Sequence, residues 1–429
     1  MEFSVVEGLR AVKFDLVFTL ALAAIFLFVG SSLQRRVGVL ARASIPAAAI
    51  GGLLFALLVL ALRSSQTLGV TLDNSLRAPL QTAFFTTIGL SATLALLRGG
   101  GWRMIFFLLL ASLTAVMQNV AGIGMARLLR VPDALGIICG ALTLTGGPAT
   151  GLGFQKLIEQ EGIASAGELI IAAATFGIFV SSLVGNPVAS LLIRRFRLSK
   201  PQAERAKEHS GADELWAIGS TGPIATLEDE SVETVELRVE KAELTGGEML
   251  RHLLLILIVM GVGAVLSFGL TRLGLTFPGY VGAMVVAALV RNFDDRLKWF
   301  GINMRAVDAL GVIALSLFLV IALMDLKLWQ LAGLALPMLL ILAVQVVLMI
   351  LYAVFLTFVL MGRDYEAAVT AGGHIGFGLG ITPNAVANME ALVARYGPAP
   401  RSFLYVPIVG AFFIDFTNVL IITAFLNFV

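Results

Sequence analysis

The chain has 429 residues, of which 58% are hydrophobic and only 14% charged, with a formal net charge of +2 and a mean hydropathy of +0.94. Soluble domains run near one-half apolar and one-quarter charged, so these values exclude a soluble globular protein and define a polytopic membrane protein. The small net charge gives no reason to expect nucleic acid as a partner, and the single cysteine, Cys139, excludes an intramolecular disulfide framework and a cysteine metal cluster.

Apolar segments able to cross the hydrocarbon core, which takes about 20 helical residues, fall near 14–34, 45–62, 79–97, 104–128 and 166–193. The first is longer than a signal-peptide core, runs into Arg35 and Arg36, and lacks a small-residue cleavage site, so it reads as a retained helix. From Arg194 to Glu248 the chain turns hydrophilic, RRFRLSK giving way to LEDESVETVELRVEKAE, which predicts a linker. Five more spans follow near 249–273, 278–292, 305–325, 330–360 and 403–428; the segment 278–292 is short, and 330–360 is long enough to tilt or kink. Residues 133–156 and 364–392 fit no plain span and are rich in glycine, proline and polar side chains.

Features recur in the same order in both halves. Pro46 parallels Pro278, Ile88-Gly89-Leu90-Ser91 parallels Ile313-Ala314-Leu315-Ser316, Trp102 parallels Trp329, and Gln118 parallels Gln345. Gly146-Gly147 then parallels Gly372-Gly373, and FGIF at 176–179 parallels VGAF at 409–412. Five spans per half make such a repeat inverted. The expected architecture is therefore all-α, with about ten transmembrane helices in two inverted five-helix repeats, residues 1–193 and 249–429, joined by the linker 194–248. Each repeat holds a glycine-rich re-entrant hairpin, at 133–156 and 364–392. With the linker in the cytoplasm and both termini external, about 17 Lys or Arg near span ends fall inside against about 9 outside, the direction the positive-inside rule requires.

In lipid every backbone N–H and C=O needs a partner, so an unwound stretch survives only where protein or a water-filled cavity surrounds it. The stretches LTLTGGPATGLGF at 142–154 and AGGHIGFGLGITPNAVAN at 371–388 carry no formal charge. Helices broken there would turn N–H groups toward carboxylates and freed oxygens toward a hard cation such as sodium. Thr145, Thr150, Thr382, Asn384 and Asn388 supply oxygens, while Gly146, Gly147, Gly372, Gly373, Gly376 and Gly378 allow close approach and unusual dihedrals. The same glycines also suit tight helix packing in a membrane. Paired breaks in equivalent places favour a midplane site for a small anion and its coupling cations.

His374 has open readings: proton shuttle, metal ligand, donor to a substrate carboxylate, or a neutral ring bonded within its hairpin. No second histidine or cysteine is spaced to complete a zinc site. Asp415, inside AFFIDFTNVLII, is an intramembrane acid suited to ligand sodium, meet a substrate ammonium or carry a proton, or else to make a polar helix contact. Asp325, at a span end beside Lys327, reads as a solvated ion pair. Gln118, Asn119, Gln345 and Asn418 are amides that serve either the site or interhelical bonds. No nucleophile–base or metal constellation of an enzyme is present.

AFFTTIGLSATLALLRGG, LSLFLVIALMDLKLWQLAGLALPMLLILAVQ, GGHIGFGLGITPNAVANM and VPIVGAFFIDFTN resemble the bacterial sodium:glutamate symporter family, and the resemblance covers nearly the whole chain apart from the linker. It implies an inner-membrane, multi-pass secondary transporter that imports glutamate with sodium, without further cofactor, as a homodimer working by an elevator-like movement. Its hairpins fall on Thr145 to Gly151 and on Gly372 to Asn388. The substrate set is then Thr145, Gly146, Gly147, Thr150, Gly151, Gly372, Gly373, His374, Gly376, Gly378 and Asn384. The sodium candidates are Thr382, Asn388, Asp415, Asn418, Gln118 and Gln345. The family's first hairpin usually reads Gly-Gly-His-Gly-Thr-Gly; here Pro148 and Ala149 follow Gly147, which leaves a di- or tricarboxylate as the alternative cargo.

Overall fold

The computed structural model describes residues 2–6, 9–38, 46–66, 69–198, 244–272, 277–329 and 334–428. Most of the expected linker, residues 199–243, lies outside them. Apart from a small sheet the described chain is helical.

The first half contains α1 (Leu16–Arg36), α2 (Ala47–Ser64), α3 (Arg77–Ser91), α4 (Leu94–Gly99), α5 (Gly101–Leu128), α6 (Asp133–Ile137), α7 (Gly147–Gln160) and α8 (Ala166–Arg195). The second contains α9 (Gly246–Arg272), α10 (Val281–Leu297), α11 (Met304–Met324), α12 (Ala335–Tyr352), α13 (Tyr365–Leu379), α14 (Thr382–Tyr396), α15 (Pro400–Ile408) and α16 (Ile414–Phe428). Helix α6 runs on through Ile138 and Cys139 to a break at Gly140, while wide π turns at Ala353–Thr357 and Val409–Phe413 extend α12 and join α15 to α16. Within the long segment expected over 330–360, the Ala353–Thr357 turn inserts a residue into the helical ladder.

Among the described residues eight helices are long and apolar enough to cross a membrane: α1, α2, α5, α8, α9, α11, α12 with its π extension, and α15 joined to α16. Helices α3 and α10 stand where the other two spans are expected and are shorter, at 15 and 17 residues. The single span expected over 79–97 is instead two helices, because the chain leaves helical geometry at Ala92 and Thr93. Thr93 is held there by its hydroxyl on Asp295, and Asn292 bonds the Ala92 carbonyl at 2.9 Å.

The expected all-α fold needs one correction. Glu2–Val6 and Leu9–Lys13 form an antiparallel pair, β1 and β2, and β3 (Gly69–Thr71) adds in parallel to β2 with Ala11 opposite Gly69 and Lys13 opposite Thr71. The strands are too short and too mixed in composition to stand out beside a 20-residue apolar run.

The helices gather in two bodies. Helices α1, α2, α3, α9, α10 and α11 pack against one another, and α5 to α8 pack with α12 to α16. Within the first body a β-carbon on Gly51 would strike the Phe26 carbonyl, and one on Gly89 the Met284 carbonyl, so backbones approach as small residues permit in lipid. Contact between the bodies is sparser. It includes α7 against α11, the Val409–Phe413 turn against α3, Tyr280 at the N-terminus of α10 against Phe154 of α7, and two polar ties. In one tie Arg77 donates to Gln155, and in the other the Lys327 N–H donates to Glu168 at 2.6 Å.

Candidate functional site

The first interruption begins at Gly140, whose φ of −99° and ψ of −141° leave the helical region. Residues 143–146 turn, and α7 starts at Gly147 with φ +66°, a left-handed conformation that glycine adopts without penalty. Pro148 occupies the first turn of α7, where its missing N–H costs nothing. At the break the Ala141 carbonyl accepts from the Gly146 N–H at 3.0 Å, and side chains complete its bonding. Asn119 of α5 accepts from the Ala141 N–H at 2.9 Å, and Asn418 of α16 donates to its carbonyl at 2.9 Å.

The second interruption is narrower. Helix α13 ends at Leu379, Gly380 (φ −139°, ψ −126°) leaves helical geometry, Ile381 (φ −131°, ψ 165°) is extended, and α14 resumes at Thr382 with Pro383 in its first turn. Pro148 and Pro383 thus hold the same place in their units. The pairing of Gly146-Gly147 with Gly372-Gly373 read from the sequence is corrected: the first pair borders its break, while the second lies inside a continuous helix.

Gly372, Gly373, Gly376 and Gly378 all have helical backbone, so the unwinding expected across 371–388 is confined to two residues. Their use is close approach. A β-carbon on Gly376 would strike the Ala385 backbone, one on Gly373 would meet Met389 Sδ at 2.6 Å, and one on Gly378 the Met349 terminal methyl at 2.8 Å.

The two interruptions touch. A β-carbon built on Gly147 lies 3.0 Å from Ile381 Cγ2, and Gly177 of α8 sits against both the Leu379 carbonyl and the Leu144 side chain. One side chain spans them: Gln118 Nε2 donates to the Gly378 carbonyl at 2.6 Å while its Oε1 accepts from the Thr145 hydroxyl at 2.7 Å. Gln345 Nε2 in turn donates to the Gln118 carbonyl at 2.7 Å. Gln118, Gln345 and Asn418 are fully buried. Gln345 Oε1, Asn418 Oδ1 and Asn119 Nδ2 are buried atoms with no protein partner among the described residues.

Thr145, Gly146, Gly147, Gly378, Gln118, Gln345 and Asn418 therefore come together. Thr150 and Gly151 follow in the first turn of α7, with Thr150 buried and Gly151 packed on Ile170. Thr382 opens α14 beside Gly410, its Oγ1 3.3 Å from a β-carbon built there. Asn384 donates to the Ile178 carbonyl and the Ser182 hydroxyl, and Asn388 to the Ser181 carbonyl at 3.1 Å; both amides tie α14 to α8. Asp415 is half-buried one turn before Asn418.

His374 stands apart from the interruptions' polar cluster. Its Nδ1 lies 2.8 Å from the Thr357 hydroxyl and its Nε2 3.3 Å from the Thr114 hydroxyl, inside a cage of Phe107, Tyr352 and Phe377. Both partners lie outside 364–392, so the ring is bonded to neighbouring helices rather than within its hairpin. Asp325 also departs from expectation. Among the described residues it forms no ion pair with Lys327, whose backbone N–H donates to Glu168. Sequence reasoning did not reach Tyr280, Gln81 or the α8 serines Ser181 and Ser182. Lone polar residues in helices carry no signal until their neighbours are known. Asn119 was visible only as one of several buried amides.

Eight apolar helices together with paired, touching helix interruptions define a multi-pass membrane protein with a polar interior. The sodium/glutamate symporter family matches residues 12–398. The chain is 41% identical over 414 residues to the sodium/glutamate symporter of Escherichia coli K12, covering 96% of this chain and 97% of that protein. The Shigella flexneri symporter gives the same values, and that of Haemophilus influenzae is 37% identical over 401 residues, 93% and 94% of the two chains. The chain belongs to the sodium/glutamate symporter family.

Proposed function

We propose that the protein is a sodium-coupled glutamate symporter of the bacterial inner membrane. The observation that carries this reading is Gln118 joining both helix interruptions through one amide, in a chain whose full-length relatives are named sodium/glutamate symporters. The N-termini of α7 and α14 meet there, and such termini present free N–H groups and a positive dipole end to a carboxylate. Thr145, Thr150 and the N–H groups around Gly147 and Thr382 receive the anion. Sodium takes the buried oxygens Gln345 Oε1 and Asn418 Oδ1, with Asp415 supplying the negative charge nearby. Asn384, Asn388 and the α13 glycines hold the second unit against α8, and His374 acts as an internal pin.

In this reading α3 and α10 complete ten spans, the two helix–interruption–helix units are re-entrant hairpins, and the halves are inverted repeats. The linker face is cytoplasmic, a reading that the excess of basic residues on that side supports. The body formed by α5 to α8 and α12 to α16 carries the site past the other body in an elevator-like movement, two copies working as a dimer. Purified protein in proteoliposomes with an inward sodium gradient should concentrate labelled glutamate, with potassium failing to replace sodium. Accumulation that ignores sodium, or labelled citrate taken up in preference to glutamate, overturns the assignment.

A further inference from the structure

Helix α8 carries a polar line beyond the interruptions. Ser182, Asn186, Ser190 and Arg194 recur every fourth residue and so stack on one face of the helix. Hydroxyl, amide and guanidinium groups along an apolar span mark a route for polar species. Together with Arg395 of α14 they line a cavity of about 580 Å3, within the ~300–1,000 Å3 range of small-molecule sites.

The cavity runs along α8 from Ser182 to Arg194, near the start of the linker. At its inner end Ser182 Oγ accepts from Asn384 Nδ2 at 2.6 Å, three residues beyond Ile381. Its outer end lies about 18 Å further along α8, at ~1.5 Å per residue, where Arg194 Nε donates to the Tyr396 hydroxyl at 3.2 Å. The Arg395 guanidinium lies over the same ring, 5.3 Å from its centroid. The Tyr396 phenol titrates below its ordinary value: its partial burial works upward, but hydrogen bonds with Arg194 and Ser190 and the charges of both arginines outweigh it. Two guanidinium groups are thus gathered around one tyrosine. The ion pairs among the described residues are Arg127 with Asp133 and Arg291 with Asp295, so neither of these arginines is neutralised by one.

We propose that this cavity is an anion vestibule in which Arg194 and Arg395 hold a carboxylate of the transported amino acid at the linker face, and Ser190, Asn186 and Ser182 lead it to or from the helix interruptions. The proposal rests on the symport reading and adds a second, shallower subsite to it. Its ligand chemistry is a carboxylate or phosphate anion beside an apolar flank, since Leu183 and Leu191 on the same helix are 58% and 64% exposed. An anionic lipid headgroup offers the same chemistry, so the test must separate the two.

Transport is measured in vesicles of defined orientation, with glutamate supplied from either face, for the wild type, the double variant R194Q/R395Q and R194K. The double variant should raise KM at the linker face by roughly tenfold, the scale of one lost charge-assisted contact, while KM at the opposite face and the sodium dependence stay unchanged. R194K, which keeps the charge, should stay near wild type. Equal KM changes at both faces, or none, overturn the proposal. So does a wild-type-to-variant difference that disappears in vesicles of zwitterionic phosphatidylcholine alone, because the arginines would then hold the headgroup of an anionic lipid. A wild type without sodium-driven uptake from either face would instead remove the symport reading itself.

Discussion

Gln118 and Gly378 lie 260 positions apart in sequence, yet the amide of one donates to the carbonyl of the other at 2.6 Å. The bond closes the end of α13 where its helical ladder stops, and the same amide's oxygen takes the Thr145 hydroxyl from the opposite interruption. Gln118→Leu should therefore leave two buried groups unpaired, at about 1–3 kcal/mol each. Lower thermal stability in detergent and loss of concentrative uptake are expected together. A variant with wild-type melting and uptake would show that the bridge is dispensable.

Asn418 and Gln345 allow the cation to be tested apart from the anion. Each donates its amide to backbone and leaves an oxygen buried without a partner, so N418A and Q345A lose one oxygen each. The expected result is an increased sodium requirement for half-maximal uptake, with a smaller effect on glutamate KM at saturating sodium. The Asp415→Asn variant should insert into the membrane and lose most of its sodium stimulation. Sodium titrations of uptake at fixed glutamate check all three.

His374 should not set the pH dependence of transport. Its ring is fully buried in an aromatic cage, and both nitrogens face threonine hydroxyls rather than a carboxylate that would stabilise a charged ring. The H374N variant is expected to lower stability and to keep the wild-type pH profile of uptake between pH 6 and 8. A profile that flattens on substitution would restore the proton-shuttle reading.

Gly147 and Gly376 separate two uses of glycine. The G147A substitution places a side chain at φ +66°, a cost of about 1–2 kcal/mol, and brings it 3.0 Å from Ile381; it should impair transport in protein that still folds. G376A instead drives a methyl group into the Ala385 backbone and should reduce the yield of folded protein. Size-exclusion profiles beside uptake rates distinguish the two.

Much of the architecture was legible because spans of about 20 apolar residues announce themselves, and because interrupting a helix in lipid demands unusual composition. The extent of each interruption was not legible. Glycine spacing in 371–388 looks the same whether the backbone unwinds or two helices press together, and only Gly380 and Ile381 leave the helix. Gln118, Gln345 and Asn418 were readable as buried amides, but their convergence on one pair of tips depends on how α5, α12 and α16 cross. Tyr280 and Gln81 had no signal at all, since their position against Gly153 of α7 arises only when the two bodies dock.

The three-stranded sheet has a consequence for depth. Open strand edges are not tolerated in hydrocarbon, so residues 2–6, 9–13 and 69–71 fix an aqueous plane at the start of α1 and beyond the end of α2. Counting from Asp15 at ~1.5 Å per residue, a ~30 Å apolar layer is traversed after about 20 residues. That distance sets Arg35 and Arg36 at the far headgroups. The strands thus serve as a waterline against which the immersion of every other helix can be read.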